Sequence, residues 1–490
     1  MRAPEGAGSR PRPTNRVHQR TVLINTTIGT IMGSLDGSIL TVSLPTIARE
    51  LHTGVGLMLW IMMGYTVVIT ALLLPFGRLA DIHGRVRMYG LGYVVFTLSS
   101  ALCGFAPSAR LLLVGRLIQG VGAALLWSNS TAILTDAYPG EGRGYALGIN
   151  QVAALTGALG GLLLGGVITV TLGWRWIFFV NLPIGALGAV WTFTSLREIA
   201  TTDAGERFDL TGMALFVAAI VLILLGLTSV IEGSSPLFIW TLLGVGAATL
   251  ALFVRVELAT AAPLIDFSLL RNRVFFLGNS ALLLNSLARG ALMFLLTFAF
   301  QGLDGNSPLV AGLKMLPLTI SIMIVGPIAG RLSDRGGFRW LAAAGLWVTA
   351  VSLAMLARTP LDGGYLLMGL GLFLSGVGNG LFNAPNTSSV MGAVPPDRRG
   401  VVASTRSLLF NTGQLFSLAL SFTILAAVMG QVNLSRFVAG LDVSTSAAGH
   451  RAFQTGLGEA FIISALLSAA GAVLAGLPDR APRPRRVLEG

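Results

Sequence analysis

Residues 21–45, TVLINTTIGTIMGSLDGSILTVSLP, form an apolar segment that carries a single carboxylate, Asp36. A helix that crosses a bilayer needs roughly 20 mostly apolar residues at about 1.5 Å each. This segment is long enough, and it sets Asp36 well inside the hydrocarbon. An ionisable group at that depth costs on the order of 2.5–3.5 kcal/mol on insertion scales, so it usually faces a bundle interior or a wet cavity and has a function there. Gly29, Gly33 and Gly37 recur every four residues around it, and Ser34 and Ser38 add small polar groups. Such a surface admits another helix or water. A structural Asp hydrogen-bonded to a neighbouring helix is the plainer alternative.

The rest of the composition agrees with this segment. Hydrophobic residues make up 53% of the 490 and charged residues 11%, against about 25% charged in soluble domains. The chain therefore reads as an integral membrane protein, and a soluble enzyme is excluded. The net charge of +12 is not gathered into a basic domain, so no nucleic-acid partner is expected. Cys103 is the only cysteine, which rules out a disulfide within the chain. Lys314 is the only lysine, a usage that suggests a GC-rich bacterial genome. His18, His52, His83 and His450 are scattered without metal-ligand spacing, no G-x-S-x-G occurs, and Lys314 is not in a phosphate-binding loop. Neither an enzyme nor a bound cofactor or metal is expected.

Apolar runs give fourteen candidate spans: 21–45, 55–79, 88–106, 109–136, 145–171, 175–196, 210–231, 236–256, 274–300, 309–331, 338–358, 363–393, 401–430 and 455–477. An even number puts both ends on one side. That side, tails included, holds 23 of the 33 Lys and Arg, the opposite side holds 7, and Arg116, Arg289 and Arg406 lie within spans. The positive-inside bias predicts cytoplasmic termini in a bacterial cell membrane. Residues 1–20 read as a disordered basic cytoplasmic tail and 479–490 as a second basic tail. The apolar run after residue 20 is too long for the core of a signal peptide.

The chain repeats itself. GRLADIHGRVR (77–87) matches GRLSDRGGFR (330–339) at a spacing of 253; GRLIQGVG (115–122) matches GLFLSGVG (371–378) at 256; AYPGEGRG (137–144) matches AVPPDRRG (393–400) at 256. Three collinear matches at nearly one offset indicate an internal duplication. Eight spans separate the copies, so two six-helix units, 21–200 and 261–478, flank two inserted helices within 201–260. Two parallel six-helix repeats with a site between them form a transporter architecture.

Four motifs in order then resemble the major facilitator superfamily, in its fourteen-helix drug:proton antiporter branch, over nearly the whole chain. These are LDGSILTVSLPTI (35–47), the loop residues Gly77, Leu79, Asp81, Gly84, Arg85 and Arg87, the fourth-span set Arg116, Gln119, Gly120, Gly122 and Ala124, and WRWIFFVNLPIG (174–185). The resemblance implies an all-α fold of two six-helix bundles plus two inserted helices. It also implies proton-coupled export of amphiphilic drugs or small organic compounds by alternating access, with the proton gradient as energy source. Export of an endogenous metabolite, siderophore or lipid is an alternative, as is an uncoupled facilitator. A monomer is the default expectation, with substrate, protons and membrane lipids as partners. One departure stands out. Of the branch's G-x-x-x-G-P-x-x-G-G in the fifth span, Gly157, Gly161, Gly165 and Gly166 are kept, but Leu162 replaces Pro. Close helix packing is retained, while the Pro-dependent bend is lost, and with it some support for antiport.

Candidate roles follow from the residues. Arg116 needs a buried partner, and Asp36 is the carboxylate nearest mid-membrane; together they are the expected proton-coupling pair. Asp81, Arg85 and Arg87, with Asp334 and Arg335 in the second copy, form a gating loop whose ion pairs could switch between conformations; a topogenic charge cluster is the alternative. By the repeat, Arg289 falls close to the pseudo-symmetric position of Asp36, since Gly37 aligns with Gly290. Such an Arg in the central cavity points to neutral, monocationic or anionic substrates. Arg406 either joins it or reaches the cytoplasmic surface. Gln119, Asn150, Asn383 and Asn411 are further cavity candidates, with interhelical hydrogen bonds as the alternative. Phe294 is a candidate contact for an apolar substrate, with core packing as the alternative.

Overall fold

The computed structural model describes residues 16–138, 142–198, 209–231, 233–260, 269, 271–336, 338–359, 365–394, 399–430 and 447–477. The expected tails lie outside these, apart from residues 16–20. The first helix, α1 (Arg16–Glu50), begins earlier than the apolar run alone predicts and carries Pro45 inside it. It is followed by α2 (Val55–His83), α3 (Arg85–Gly104), α4 (Ala109–Ala137), α5 (Gly142–Thr171), the short α6 (Trp176–Phe179) and α7 (Asn181–Ser195). The inserted pair is α8 (Leu210–Ile231) and α9 (Pro236–Ala259). The second half comprises α10 (Arg273–Arg289), α11 (Leu292–Gly302), α12 (Pro308–Lys314), α13 (Leu316–Gly336), α14 (Phe338–Arg358), α15 (Tyr365–Gly392), α16 (Arg399–Met429) and α17 (Ala447–Gly476). Among the described residues, fourteen spans are long and apolar enough to cross a membrane. In hydrocarbon every backbone group must pair internally, which is why the apolar runs fold as helices.

Helix starts follow from local chemistry. The side chains of Ser108, Ser235, Asn272 and Ser307 accept hydrogen bonds from the first turns of α4, α9, α10 and α12, and Pro236 and Pro308 follow two of these caps. Three spans that read as continuous in sequence are interrupted. The break between α10 and α11 has a visible cause: the Ala291 amide donates to Ser417 Oγ at 2.9 Å, outside the helix ladder.

The duplication survives in packing detail. In the first half, Gly122 of α4 crosses α3 where a Cβ would meet Phe96 N at 2.5 Å and Gly92 O at 3.0 Å. In the second, Gly378 of α15 crosses α14 where a Cβ would meet Gly345 O at 2.5 Å and Thr349 N at 2.7 Å. Both crossings require glycine and align at the repeat offset.

The halves meet mainly at the end distal to the termini. There Gln301 Nε2 of α11 donates to the Val42 carbonyl of α1 at 2.7 Å, and Gly166 of α5 abuts Leu309 of α12. The largest apolar core runs through both halves at this end, from Ile39 and Leu59 to Phe298 and Phe422. Toward the termini the cores are separate, one built from Val22, Tyr89, Ala137 and Leu196, the other from Phe275, Val390 and Val402. The inserted helix α8 docks between the halves, with Thr228 accepting from Trp60 Nε1 at 3.4 Å and the Leu227 carbonyl accepting from Thr423 at 3.3 Å.

Candidate functional site

Four other helices converge on Asp36. Its Oδ2 accepts from Arg116 Nη1 of α4 at 2.6 Å. Its Oδ1 accepts from Gln119 Nε2 at 2.9 Å and from Asn181 Nδ2 of α7 at 3.0 Å. Gln119 Oε1 accepts from Arg116 at 2.6 Å, and Gln119 Nε2 also reaches Ser100 Oγ of α3 at 2.8 Å. The guanidinium lies 4.0 Å from the centre of the Tyr65 ring of α2. Asp36 and Arg116 are each 1% exposed. Gln119 and Asn181 share the charge of this buried pair, while Arg116 Nε has no hydrogen-bond partner among the described residues.

A different face of α1 explains the glycines of α5. Gly157, Gly161 and Gly165 pack on Ile31, on Leu35 with Ser38, and on Ile39, leaving no room for side chains. Gly166 turns instead to Leu309. Leu162 is fully buried, and its carbonyl faces Gly312 of α12. With no proline at that position, α5 runs unbroken from Gly142 to Thr171.

The segment 174–185 divides its work between the C-terminal end of α1 and its middle. Trp174 Nε1 donates to Glu50 Oε2 at 2.7 Å, while Arg175 stacks on the Trp174 ring at 4.4 Å. Asn181 then reaches back to Asp36. The motif was visible in sequence; the partner of its Asn, 145 residues away, was not. Nothing in the sequence marks Tyr65 or Ser100 as part of this cluster.

At the expected gating loop, Gly77 lies in α2, and Gly84 links α2 to α3 with φ +101°, a conformation that favours glycine. A Cβ there would also press on Glu198, whose Oε1 accepts from the Arg87 amide at 2.9 Å. Arg85 pairs with Asp136 at the end of α4 at 2.7 Å, a partner that sequence did not suggest. The side chains of Asp81, Asp334 and Arg335 lie outside the described residues.

The cavity candidates separate. Gln119 belongs to the Asp36 cluster and is fully buried. Phe294 stacks with Phe298 and Phe422 at centroid distances of 4.8 and 5.2 Å inside the distal core, so it closes the distal end rather than lining a cavity. Asn150 Nδ2 donates to Ser130 Oγ at 3.2 Å, and Asn383 Nδ2 to Asn379 Oδ1 at 2.8 Å. Asn411 is half-buried. Arg289, also half-buried, donates from Nε to Ser375 Oγ at 3.4 Å. Arg406 does not extend to the surface: it is 8% exposed, donating to Thr387 Oγ1 at 3.0 Å and to Asn279 Oδ1 at 3.5 Å.

The sequence profile of the Major Facilitator Superfamily matches residues 26–418 and, overlapping, 279–490. The chain is 33% identical over 400 residues to the riboflavin transporter RibZ of Clostridioides difficile, covering 81% of this chain and 86% of that one. It is 34% identical over 417 residues to the multidrug resistance protein Stp of Mycobacterium tuberculosis, covering 84% and 76%. A bacterial homologue of the lysosomal transporter Spinster, solved inward-facing and occupied, superposes with a TM-score of 0.66 at 16% identity, covering 94% and 97%. The chain belongs to the Major Facilitator Superfamily. It is a multi-pass membrane transporter, not an enzyme.

Proposed function

We propose that this transporter exports amphiphilic small organic compounds across the bacterial cell membrane in exchange for protons, with Asp36 as the proton carrier and both termini cytoplasmic. The observation that carries the proposal is that three donors from two other helices hold the buried Asp36 carboxylate. A proton removes the negative charge that these donors hold and so weakens all three contacts together. Protonation is therefore tied to movement of α4 or α7 against α1, the linkage that a coupled alternating-access cycle needs. With cytoplasmic termini, the joined distal ends correspond to a form closed to the outside. The Arg85–Asp136 contact belongs to this form, and its loss in the opposite one would make it a gate. A monomer suffices for this cycle.

The relative named a multidrug resistance protein supports a drug-like substrate. The relative named a riboflavin transporter supports a second reading, movement of an endogenous metabolite. A susceptibility panel of dyes and antibiotics in an efflux-deficient host, with and without a protonophore, tests the first, and a riboflavin export assay in the same cells tests the second. The proposal expects resistance that the protonophore abolishes. Accumulation unaffected by the protonophore contradicts proton coupling.

A further inference from the structure

The second half carries a polar seam between α10 and α15. On α15, Ser375, Asn379, Asn383 and Thr387 recur every four residues, so they lie on one stripe of the helix. The stripe faces α10: Ser375 accepts from Arg289, and Asn379 accepts from Asn285 Nδ2 at 3.4 Å. At the other end Thr387 and Asn279 both accept from Arg406. Exposure rises along the stripe, from buried Ser375 through half-buried Asn379 and Asn383 to exposed Thr387. The seam thus opens toward the end where the two halves have separate cores.

Its charge balance is one-sided. Among the described residues neither arginine pairs with a carboxylate, whereas Arg116 in the first half has Asp36. The terminal nitrogens of Arg289 make no hydrogen bond to the described residues, its only such contact being through Nε. Beside Arg406, the Asn279 side chain is 3% exposed, and its Nδ2 donor has no partner among the described residues. The buried Arg406 charge, which has only neutral acceptors, and the unpartnered Asn279 donor are costly. An acceptor with negative charge offsets both terms at once, while half-buried Arg289 leaves its terminal nitrogens for the same group.

We propose that this seam is a binding track for an anionic group (carboxylate, sulfonate or phosphate) on the transported compound, with Arg406 and Asn279 at its entrance and Arg289 at its inner end. The proposal deepens the export reading above by assigning the charge of the substrate, and it rests on that reading only for the direction of movement.

The test uses the purified full chain in lipid nanodiscs without an ion gradient, titrated with two xanthene dyes of similar shape. These are fluorescein, an anion at neutral pH, and rhodamine 6G, a cation; empty nanodiscs correct for partitioning. The native protein should bind fluorescein more tightly than rhodamine 6G. Arg289→Gln and Arg406→Gln should each weaken fluorescein binding about tenfold, as expected for one lost charge-assisted contact, and leave rhodamine 6G within about twofold. Arg289→Lys and Arg406→Lys, which keep the charge, should retain most of the affinity. If a Gln variant does not fold, Asn383→Ala supplies the same comparison within the seam, with a smaller loss for fluorescein alone. Absence of fluorescein binding, preference for rhodamine 6G, or equal weakening of both dyes overturns the proposal. Because no gradient is present, a failure of proton coupling would leave this result unchanged.

Discussion

Arg289 stands close to the position in the second repeat that Asp36 holds in the first, since Gly290 aligns with Gly37. The equivalence extends to their neighbours: Asp36 accepts from Gln119, and Arg289 donates to Ser375, the residue that the repeat spacing of 256 aligns with Gln119. The two halves therefore share a frame and differ in charge at its centre. The first half answers its acid with Arg116, while the second leaves its base without a carboxylate among the described residues.

The pairing of Asp36 with Arg116 makes a stability prediction. Removing one partner of a buried pair costs about 3–5 kcal/mol, because the other charge stays buried and unpaired. Arg116→Gln should therefore lower the yield of monodisperse protein in fluorescence-detected size-exclusion chromatography. Asp36→Asn combined with Arg116→Gln should recover it. Equal yields for the single and double variants would show that the pair is not coupled.

Asn181 supplies one of the two donors to Asp36 Oδ1. Hydrogen bonds to charged groups contribute about 1.5–3 kcal/mol, so Asn181→Ala should reduce proton-driven efflux by about tenfold or more with the protein still inserted. Efflux equal to the native rate, at matched protein levels, would remove Asn181 from the account.

The Arg85–Asp136 pair is partly exposed on both sides. Exposed pairs contribute at most about 1 kcal/mol to stability, so reversing either charge should leave folding intact. If the pair gates the cycle, Arg85→Asp or Asp136→Arg alone slows efflux, and the double reversal restores it. Unchanged efflux in both single variants would assign the pair to topology alone.

Gly166 lets α5 touch α12 at the distal end, whereas a Cβ at Gly160 would meet nothing within 4 Å. Gly166→Leu should wedge that closure open and suppress transport, and Gly160→Leu on the same helix should be tolerated. Efflux assays on the two variants at matched expression decide this.

Much of the architecture was legible because bilayer physics writes it into composition: fourteen apolar runs, charged gaps and a repeat that glycine spacing preserves. Asp36 and Arg116 were legible because each is costly alone in an apolar helix. Asn181 as a ligand of Asp36 was not, since neutral amides occur throughout these helices and only the docking of α7 selects one. The same limit applies to Asp136, which chain folding brings to Arg85. Phe294 shows the opposite case: an aromatic in a span carries no mark of which side it faces, and the aromatic cluster places it in the distal core. The break after Arg289 depends on Ser417 taking a backbone amide, a contact between helices that no local pattern encodes.

The central claim is that Asp36 carries the proton. The most direct test reconstitutes native and Asp36→Asn protein in proteoliposomes and follows a compound that the susceptibility panel shows to be exported. Two modes are compared, accumulation driven by an imposed pH gradient and exchange of labelled for unlabelled compound without one. The account predicts that Asp36→Asn, compared at equal amounts of folded protein and with Arg116 still held by Gln119 and the Tyr65 ring, retains exchange and loses gradient-driven accumulation. Accumulation by Asp36→Asn at the native level would contradict it.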